Sequence, residues 1–471
     1  MIGGGLAGLS SAVALADAGL RVRVLEQRPF LGGRASSYTL PGGEHVDNCQ
    51  HVTLGCCTNL DDFYRRTGAA DLIRFYDQLV FVDSEGRRTT MQASALPAPM
   101  HLGPSLALYA SLPLSDRQSI GRAMIAIARR GGCNSDGDAA GISMLEWLRL
   151  HGQTEQAIER FWSVVLVSAL DEELGRTDAR YALDVFWKAF LSNRRGYRLG
   201  IPRVPLGQLY AGCHAGIESR GGAVALRAPV QGIRVTDGRV AAIEMGEGQE
   251  QTADYYVAAV PHDALLDLLP PEIVDRETSF SNLRRLHVSP ITGVHFWFDR
   301  LVMAEPFLTL VDRTTQWVFN KSQLCDGNSL TAQAGQYLQL VISASYDLLA
   351  RSRQDINGLC LAELHDVVPE SQKAKLLKAT VIKETAATFS PEPGCDRWRP
   401  PQRTPLSNLV LAGDWTATGW PATMEGAVRS GYMAAETVLS AMGAPRQILQ
   451  PDLPVEGLAR FIARNSNCDT V

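Results

Sequence analysis

The chain begins on a glycine-rich turn that constrains its fold more than any other feature. Residues 3–8 satisfy the pattern G-x-G-x-x-G, which turns a strand tightly into a helix and lets the backbone approach a phosphate. The segment 9–18, rich in alanine and leucine, predicts that helix, and Gly19 ends it as a residue that readily adopts positive φ. These features predict a parallel α/β domain that holds a dinucleotide phosphate at a helix N-terminus.

A strand and an acid follow the helix at the spacing that a ribose ligand requires. Residues 20–26 alternate like a strand and finish on Glu26, close to the spacing of about 20 residues that is typical of the ribose ligand. A carboxylate at this position accepts hydrogen bonds from ribose hydroxyls and repels a 2′-phosphate. The predicted ligands from the turn and the strand end are Gly3, Gly5, Leu6, Ala7, Gly8, Glu26 and Gln27.

A second glycine motif indicates that the dinucleotide is a flavin. Residues 32–35 read Gly-Gly-Arg-Ala and resemble the second glycine motif of the flavin amine oxidase superfamily. The resemblance implies that Gly33 lies near FAD and that Arg34 supplies a fixed cation for its phosphates. For this tetrapeptide alone, a glycine turn with a surface arginine is the alternative interpretation.

The C-terminal part of the chain contains another segment of the same kind. An apolar strand at 409–412 runs into Gly413 and Asp414, and a helix is predicted at 423–442. This arrangement resembles the C-terminal FAD motif of the superfamily, in which an aspartate binds the ribityl hydroxyls and a helix N-terminus approaches the flavin pyrimidine ring. The ligands that the resemblance implies here are Gly413, Asp414, Thr423, Met424 and Ala427.

The middle of the chain is predicted to return to the dinucleotide-binding domain. A hairpin is predicted at 230–243 around Asp237 and Gly238, and an apolar strand at 255–260. The resemblance implies that Val230 contacts the adenine side of FAD, although it could equally be a core residue. We therefore predict an α/β fold, a GR2-type, Rossmann-like FAD-binding domain with a mixed α+β substrate-binding domain inserted discontinuously. The predicted division is 1–78, 200–265 and 403–442 for FAD, 79–199 and 266–402 for substrate, and a tail at 443–471.

The strand that should precede the first glycine turn is short in this sequence. Only Met1 and Ile2 come before Gly3, whereas a Rossmann unit needs a first strand of about five residues. We expect that a chain extended at its N-terminus would load FAD more fully.

The segment 47–58 favours one reaction among those of the superfamily. It reads Asp-Asn-Cys-Gln-His at 47–51 and Leu-Gly-Cys-Cys-Thr at 54–58, and it resembles the hydroxysqualene dehydroxylases of bacterial hopanoid synthesis. These enzymes reduce hydroxysqualene to squalene, so the resemblance implies a polyisoprenoid substrate, hydride from reduced FAD to an allylic carbon, and a proton donor for the departing hydroxide. Asp47 and His51 are the candidate proton donors. Further segments that resemble the same group lie at 63–66, 96–102 and 389–391.

Three other functions remain open from the sequence. A carotenoid-type desaturase would move hydride in the opposite direction, from a polyisoprenoid to oxidised FAD. An amine oxidase would require an aromatic cage beside the flavin, and Trp415 and Trp420 flank the right region. A non-enzymatic prenyl-lipid carrier would keep the fold without needing flavin, but the FAD motifs argue against it.

Composition excludes some partners and predicts the compartment. The chain has 45 Lys and Arg residues against 50 Asp and Glu residues, so its net charge offers no field to attract nucleic acid. Nine cysteines without a CxxC pair or zinc-ligand spacing predict reduced thiols, no metal site and a cytoplasmic protein. No second nucleotide motif identifies the electron donor that would reduce the flavin, which we expect to be a separate molecule.

One segment predicts either a surface helix or a membrane contact. Residues 100–114 are largely apolar but contain two prolines, and 116–130 contains four arginines. If 116–130 is helical, Ile120 and Ile127 share an apolar face. A solvated helix over the core is one interpretation, and peripheral contact with the inner face of the membrane is the other. The chain has no apolar run of about 18 residues and starts without an apolar leader, so we expect neither a transmembrane helix nor a signal peptide.

Overall fold

The computed structural model describes residues 1–132, 139, 141–325 and 335–463. The strands, β1 to β19 in chain order, are Arg23–Leu25, Ser37–Thr39, His45–Asp47, Thr53–Leu54, Ile73–Tyr76, Gln78–Val82, Arg88–Gln92, Leu199–Pro202, Ala223–Ala225, Val230–Thr236, Arg239–Met245, Glu250–Gln251, Tyr256–Ala258, Val288–Phe298, Phe307–Leu310, Trp317–Asn320, Gln336–Ile342, Leu376–Phe389 and Leu409–Leu411. The helices, α1 to α16, are Leu6–Asp17, Thr58–Arg66, Gly103–Ala107, Leu114–Arg130, Met144–Leu150, Glu155–Ala157, Ser163–Leu170, Ala179–Val185, Ala211–Glu218, His262–Leu268, Pro271–Arg276, Thr278–Ser281, Lys321–Leu324, Arg353–Val367, Met424–Ala441 and Ala459–Ile462.

A parallel sheet is assembled from three separated parts of the chain. β9 pairs with β1 and β13 pairs with β19, all in parallel. Ile2 lies between the two pairs, because it bridges in parallel to Leu25 on one side and to Ala258 on the other. The N-terminal residues therefore occupy the centre of the sheet, and the predicted Rossmann-like arrangement is confirmed.

The two longest helices that flank this sheet approach each other closely. α15 packs across α1, the helix that follows the first glycine turn. The contact is possible because Gly431 has no side chain: a Cβ atom there would lie 2.1 Å from Ser10 Oγ and 2.3 Å from the Ala7 carbonyl oxygen. This contact fixes the N-terminus of α15 relative to the glycine turn.

A larger mixed sheet forms the second layer of the protein. Its strand order is β18-β14-β17-β16-β15-β6-β7, and only β15 and β6 pair in parallel. Alternation along the strands divides the side chains between two cores. Val318 packs with Ile356 of α14, whereas the neighbouring Phe319 belongs to the cluster of Trp162 and Phe186 from the helical segment. The sheet and its helices match the predicted mixed α+β part, while the proposed domain boundaries stay a prediction.

The apolar segment that suggested a membrane contact lies at the surface. The predicted helix 116–130 is observed as α4, with Ile120 and Ile127 buried. Leu108 is 75% exposed and Leu114 is 60% exposed. Among the helices that the structure describes, none combines the length and the apolar character needed to cross a membrane. Contact with a membrane surface stays a prediction.

The packing of α15 on α1 predicts the effect of substituting Gly431. Gly431→Ala would overfill the contact, and we expect a loss of about 1–3 kcal/mol of stability, measured as a lower thermal unfolding midpoint. Gly358→Ala in α14 is the matched control, because a Cβ there meets no atom within 4 Å and alanine favours helix by about 0.5–1 kcal/mol. A Gly431→Ala protein as stable as the control would contradict this account of the packing.

Candidate functional site

A cavity of about 490 Å³ lies where the parallel sheet meets the mixed sheet. Nearly all of the predicted FAD ligands line it. Gly8 is the exception: a Cβ there would lie 2.1 Å from the Gly3 carbonyl oxygen, so Gly8 serves the packing of α1 against the turn. The predicted ligands in the wall are Gly3, Gly5, Leu6, Ala7, Glu26, Gln27, Gly33, Arg34, Val230, Gly413, Asp414, Thr423, Met424 and Ala427.

The first glycine turn provides a place for a phosphate. Gly5 caps α1 without a side-chain hydrogen bond, which leaves the first-turn N–H groups available to an anion. A Cβ at Gly5 would have the Gly33 Cα atom, at 3.8 Å, as its nearest neighbour. The space that this missing side chain leaves is part of the cavity, so the residues present fit the pyrophosphate of a dinucleotide.

Glu26 is held rigidly in the wall. Its Oε2 atom accepts a hydrogen bond from the Gly4 N–H at 2.7 Å, and its Oε1 atom accepts one from the Arg28 N–H at 2.8 Å. Each carboxylate oxygen can accept a second hydrogen bond. This geometry supports the prediction that Glu26 binds ribose hydroxyls.

Arg34 is paired within the protein. Its Nη2 atom lies 2.8 Å from both carboxylate oxygens of Asp414, and its Nη1 atom donates to the Ala387 carbonyl oxygen at 2.6 Å. The prediction that Arg34 supplies a fixed cation for the FAD phosphates stays a prediction, although part of its charge is taken up by Asp414. In the structure the guanidinium orients Asp414, the predicted ligand of the ribityl chain.

A buried arginine that the sequence analysis missed holds the loop after β19. Arg399 is 4% exposed, and its Nη2 atom donates to the carbonyl oxygens of Asp414, Thr416 and Trp420. The loop leads to Thr423, whose Oγ1 atom caps α15. Arg399 therefore fixes the approach to the helix N-terminus that is predicted to face the flavin ring.

Asp47, a predicted proton donor, lies outside the cavity. Its Oδ1 atom accepts hydrogen bonds from the Ser37 hydroxyl and the Leu206 N–H, and its Oδ2 atom lies 2.8 Å from Lys321 Nζ. Burial alone would raise the pKa of Asp47, but the Lys321 ammonium and these hydrogen bonds hold the pKa below its usual range. Asp47 is an ionised structural carboxylate, so its predicted role is corrected. Lys321 also donates to Gln50 at 2.9 Å, which anchors the cavity wall.

His51 lines the cavity as predicted, but its protonation state does not suit an acid. Its Nδ1 atom lies 3.1 Å from the Cys49 carbonyl oxygen, which can only accept, so Nδ1 carries the proton and Nε2 does not. Burial lowers the pKa of His51 below its usual value, although the hydrogen bond to Cys49 opposes this. At neutral pH His51 is therefore a proton acceptor.

A carboxyl that the sequence analysis missed also faces the cavity. Asp171 follows α7 directly, lines the wall and is 4% exposed. Burial raises the pKa of Asp171 well above its usual value. The sequence feature that could have identified Asp171 is an acid immediately after an apolar helix, at the position where a left-handed residue ends the helix.

A second cavity, of about 140 Å³, adjoins the first. Trp420 lies in its wall, whereas Trp415 lies in the wall of the first cavity and donates to the Val260 carbonyl oxygen. Among the described residues, no group of three or more His, Cys, Asp or Glu side chains could hold a metal. The residues that line both cavities are Val52, Ser168, Ala169, Thr423 and Met424.

Substituting Gly5 separates cofactor binding from folding. Gly5 has φ −75°, which alanine adopts freely, so we expect Gly5→Ala to fold normally but to bind FAD at least about tenfold more weakly because its Cβ enters the pyrophosphate space. The FAD dissociation constant and the thermal midpoint of the apoprotein measure the two effects. Gly121→Ala on α4, where a Cβ meets no atom within 4 Å, should leave the FAD affinity unchanged and should not lower the thermal midpoint, and unchanged FAD affinity in Gly5→Ala would contradict the assignment.

Removing Lys321 exposes the role of the buried pair. Lys321→Met leaves Asp47 buried without its cation, so we expect the free energy of unfolding to fall by about 3–5 kcal/mol at pH 7. The pKa of Asp47 is lowered in the folded protein. The pair therefore stabilises the wild type fully above the carboxyl pKa of the unfolded chain, about 3.9. This stabilisation is lost as the pH falls through the lower pKa that Asp47 has in the folded protein. The difference in the free energy of unfolding between the wild type and the variant should therefore become smaller toward acidic pH, as measured by urea unfolding.

The matched control for this experiment is an exposed ion pair. Lys373 pairs with Glu370 at 2.7 Å, and both side chains are largely exposed. Lys373→Met should change stability little at any pH. The account would be contradicted if Lys321→Met were as stable as the wild type at pH 7, or if its loss of stability were the same at pH 7 and at a pH below the folded pKa of Asp47.

Comparisons with known proteins identify the family. The 15-cis-phytoene desaturase of Solanum lycopersicum is 29% identical over 467 residues, which cover 93% of this chain and 76% of that protein. An oxidoreductase from Methanosarcina mazei superposes with a TM-score of 0.72 at 17% identity, covering 93% of this chain and 99% of its own. Putrescine oxidase bound to putrescine superposes with a TM-score of 0.69 at 16% identity, covering 93% and 98%. The fold is that of FAD-dependent oxidoreductases, and because the model of the family "Flavin containing amine oxidoreductase" matches residues 6–439, the chain belongs to this family and its cofactor is FAD.

Proposed function

We propose that this protein uses reduced FAD to remove the hydroxyl group of hydroxysqualene and form squalene. The observation that carries the proposal is the position of the segment that resembles hydroxysqualene dehydroxylases. Residues 49–52 of that segment line the first cavity, and Val52, Leu54, Cys56 and Cys57 line the second. The segment thus lies where a substrate would meet the flavin.

The second cavity can hold a short part of an apolar chain, because its volume of about 140 Å³ is close to that of a cavity that binds one benzene molecule. Its wall includes Leu54, Leu60, Val185 and Trp420, together with the side chains of Asp184 and Lys188. Burial of apolar surface contributes roughly 25 cal/mol per Å², so a polyisoprenoid gains affinity here without any charged group. Exclusion of water also protects an allylic cation from capture by solvent. The bound reduced flavin supplies the hydride, and the protein supplies the dry wall and the orientation.

A carotenoid-type desaturase is the second candidate, and two observations favour it. The Solanum lycopersicum relative is named a phytoene desaturase. In addition, His51 has an unprotonated Nε2 atom in the cavity wall, and desaturation requires an acceptor for the proton that the substrate loses. In this reaction hydride would be transferred from the substrate to oxidised FAD in the same cavity.

The structure gives less support to the other two functions. Among the described residues that line the first cavity, Trp415 is the only Phe, Tyr or Trp, while Tyr181 and Trp420 line the second, so the first cavity itself contains no pair of rings of the kind expected in the aromatic cage of an amine oxidase. A prenyl-lipid carrier would not need the phosphate space at Gly5 or the oriented carboxylate of Glu26.

The exposed apolar segment offers an entry for a lipid substrate. Leu108 and Leu114 are exposed at the surface, and the basic helix α4 follows them. Peripheral contact of this segment with the inner face of the membrane would let a polyisoprenoid leave the lipid. Such contact forms part of the proposal, as does a separate electron donor for the flavin.

The proposal is tested by a single-turnover reaction in the absence of oxygen. FAD on the holoenzyme is photoreduced, hydroxysqualene is added, the flavin absorbance is followed, and the organic extract is analysed. We expect reoxidation of the flavin together with one squalene per flavin. Flavin that stays reduced without product would contradict the proposal. A parallel sample with oxidised enzyme and phytoene is the control, and reduction of the flavin there would support the desaturase.

A further inference from the structure

A carboxyl that FAD binding does not explain lies at the junction of the two cavities. Asp171 follows α7, and its near neighbours Ser168 and Ala169 line both cavities. The other wall of this junction is formed by Thr423 and Met424, the segment that is predicted to face the flavin ring. Asp171 is therefore placed at the end of the first cavity where a substrate would react.

Three separate elements hold this carboxyl in one position. Asp171 extends from the end of α7, the Ala344 N–H donates to its Oδ1 atom at 2.9 Å, and the Thr388 hydroxyl lies 2.9 Å from its Oδ2 atom. Ala344 follows β17, and Thr388 belongs to β18. The carboxyl is 4% exposed, so its remaining accessible surface faces the cavity that it lines.

The backbone is strained at the residue that donates this hydrogen bond. Ala344 has φ +50°, a left-handed conformation that is costly for alanine. Alanine has no side chain that could compensate by a local hydrogen bond. Asp171 also has a left-handed φ, +54°, but aspartate tolerates this conformation at the end of a helix.

The protonation state of Asp171 suits a donor. Burial raises the pKa of Asp171 far above its usual value, and the neighbouring Glu172 raises it further, while the hydrogen bonds from Ala344 and Thr388 and the more distant Arg34 only partly oppose the rise. The raised pKa favours the protonated carboxyl, which is the form that can donate a proton.

The other candidates named above are held in other roles. Asp47 is ionised and lies outside the cavity, and His51 presents an unprotonated nitrogen. Asp414 is paired with Arg34. Glu26 is oriented by two backbone N–H groups at the predicted ribose position.

We propose that Asp171 is the catalytic acid that protonates the departing hydroxyl group of the substrate, an inference that rests on the proposed dehydroxylation. The carbon–oxygen bond breaks with its electron pair on oxygen, and the oxygen takes the proton of Asp171 and leaves as water. The allylic carbon receives a hydride from the reduced flavin, so the substrate is reduced by two electrons and the flavin is oxidised by two. The Asp171 carboxylate regains its proton from solvent.

The first test replaces the acid by an isosteric amide. Asp171→Asn keeps the size and the αL tolerance of the residue but has no acidic proton, so flavin reoxidation by hydroxysqualene should slow by at least about 100-fold. Reoxidation by ferricyanide and the FAD dissociation constant should stay unchanged. Asp116→Asn, which alters a buried carboxyl outside both cavities, should react like the wild type. An Asp171→Asn rate within about threefold of the wild type would overturn the proposal, because an essential acid contributes at least about 100-fold.

The second test uses a leaving group that does not need a proton. With the allylic chloride analogue of the substrate, Asp171→Asn should react as fast as the wild type. A defect of equal size with the alcohol and the chloride would assign Asp171 to positioning and overturn the acid role.

A third readout does not depend on turnover. The infrared spectrum of the wild-type apoprotein near neutral pH should contain the carbonyl band of a protonated carboxylic acid, and this band should be weakened in Asp171→Asn. Its persistence at full intensity in the variant would contradict the proposal. A wild-type enzyme that forms no squalene would instead refute the proposed function, and with it the step assigned to Asp171.

Discussion

The close approach of two glycine turns is the constraint on which the site depends. Gly5 and Gly32 form a parallel bridge, and Gly3 adopts φ +101° with its Cα against the Ala259 carbonyl group. A Cβ atom at Gly3 would lie 2.4 Å from the Ala259 carbonyl oxygen and one at Gly32 would lie 2.4 Å from the Tyr210 ring, whereas side chains larger than hydrogen at Gly5 would fill the cavity. Because they are absent, backbone forms one end of the cavity and leaves room for a pyrophosphate beside the N-terminus of α1.

The opposite wall comes from a different part of the fold and has a different physical character. The segment 47–58 is held in place by the buried ion pair of Asp47 and Lys321. The Lys321 ammonium also donates a hydrogen bond to Gln50, which lines the cavity. Next to it, Asp171 is buried without a cation of its own. The same fold therefore lowers the pKa of Asp47 by pairing it with Lys321 and raises the pKa of Asp171 by desolvation, and of the two only Asp171 lines the cavity.

The parts that were predictable from the sequence depend on local chemistry. The glycine turn and the hairpin at 230–243 with positive φ at Asp237 and Gly238 were expected and are observed. The roles of the acids were not predictable, because they are set by partners far along the chain. Asp47 and Lys321 are 274 residues apart, and Ala344, the partner of Asp171 just after β17, is 173 residues away. No periodicity or motif spacing encodes such contacts.

The direction of hydride transfer is the central claim, and isotope content tests it most directly. The holoenzyme is reduced in D₂O, so that the exchangeable hydrogen on the flavin is deuterium, and is given one equivalent of unlabelled hydroxysqualene. The account predicts squalene with one deuterium at the carbon that carried the hydroxyl group. Squalene without deuterium, or reaction of the substrate only with the oxidised enzyme, would contradict it.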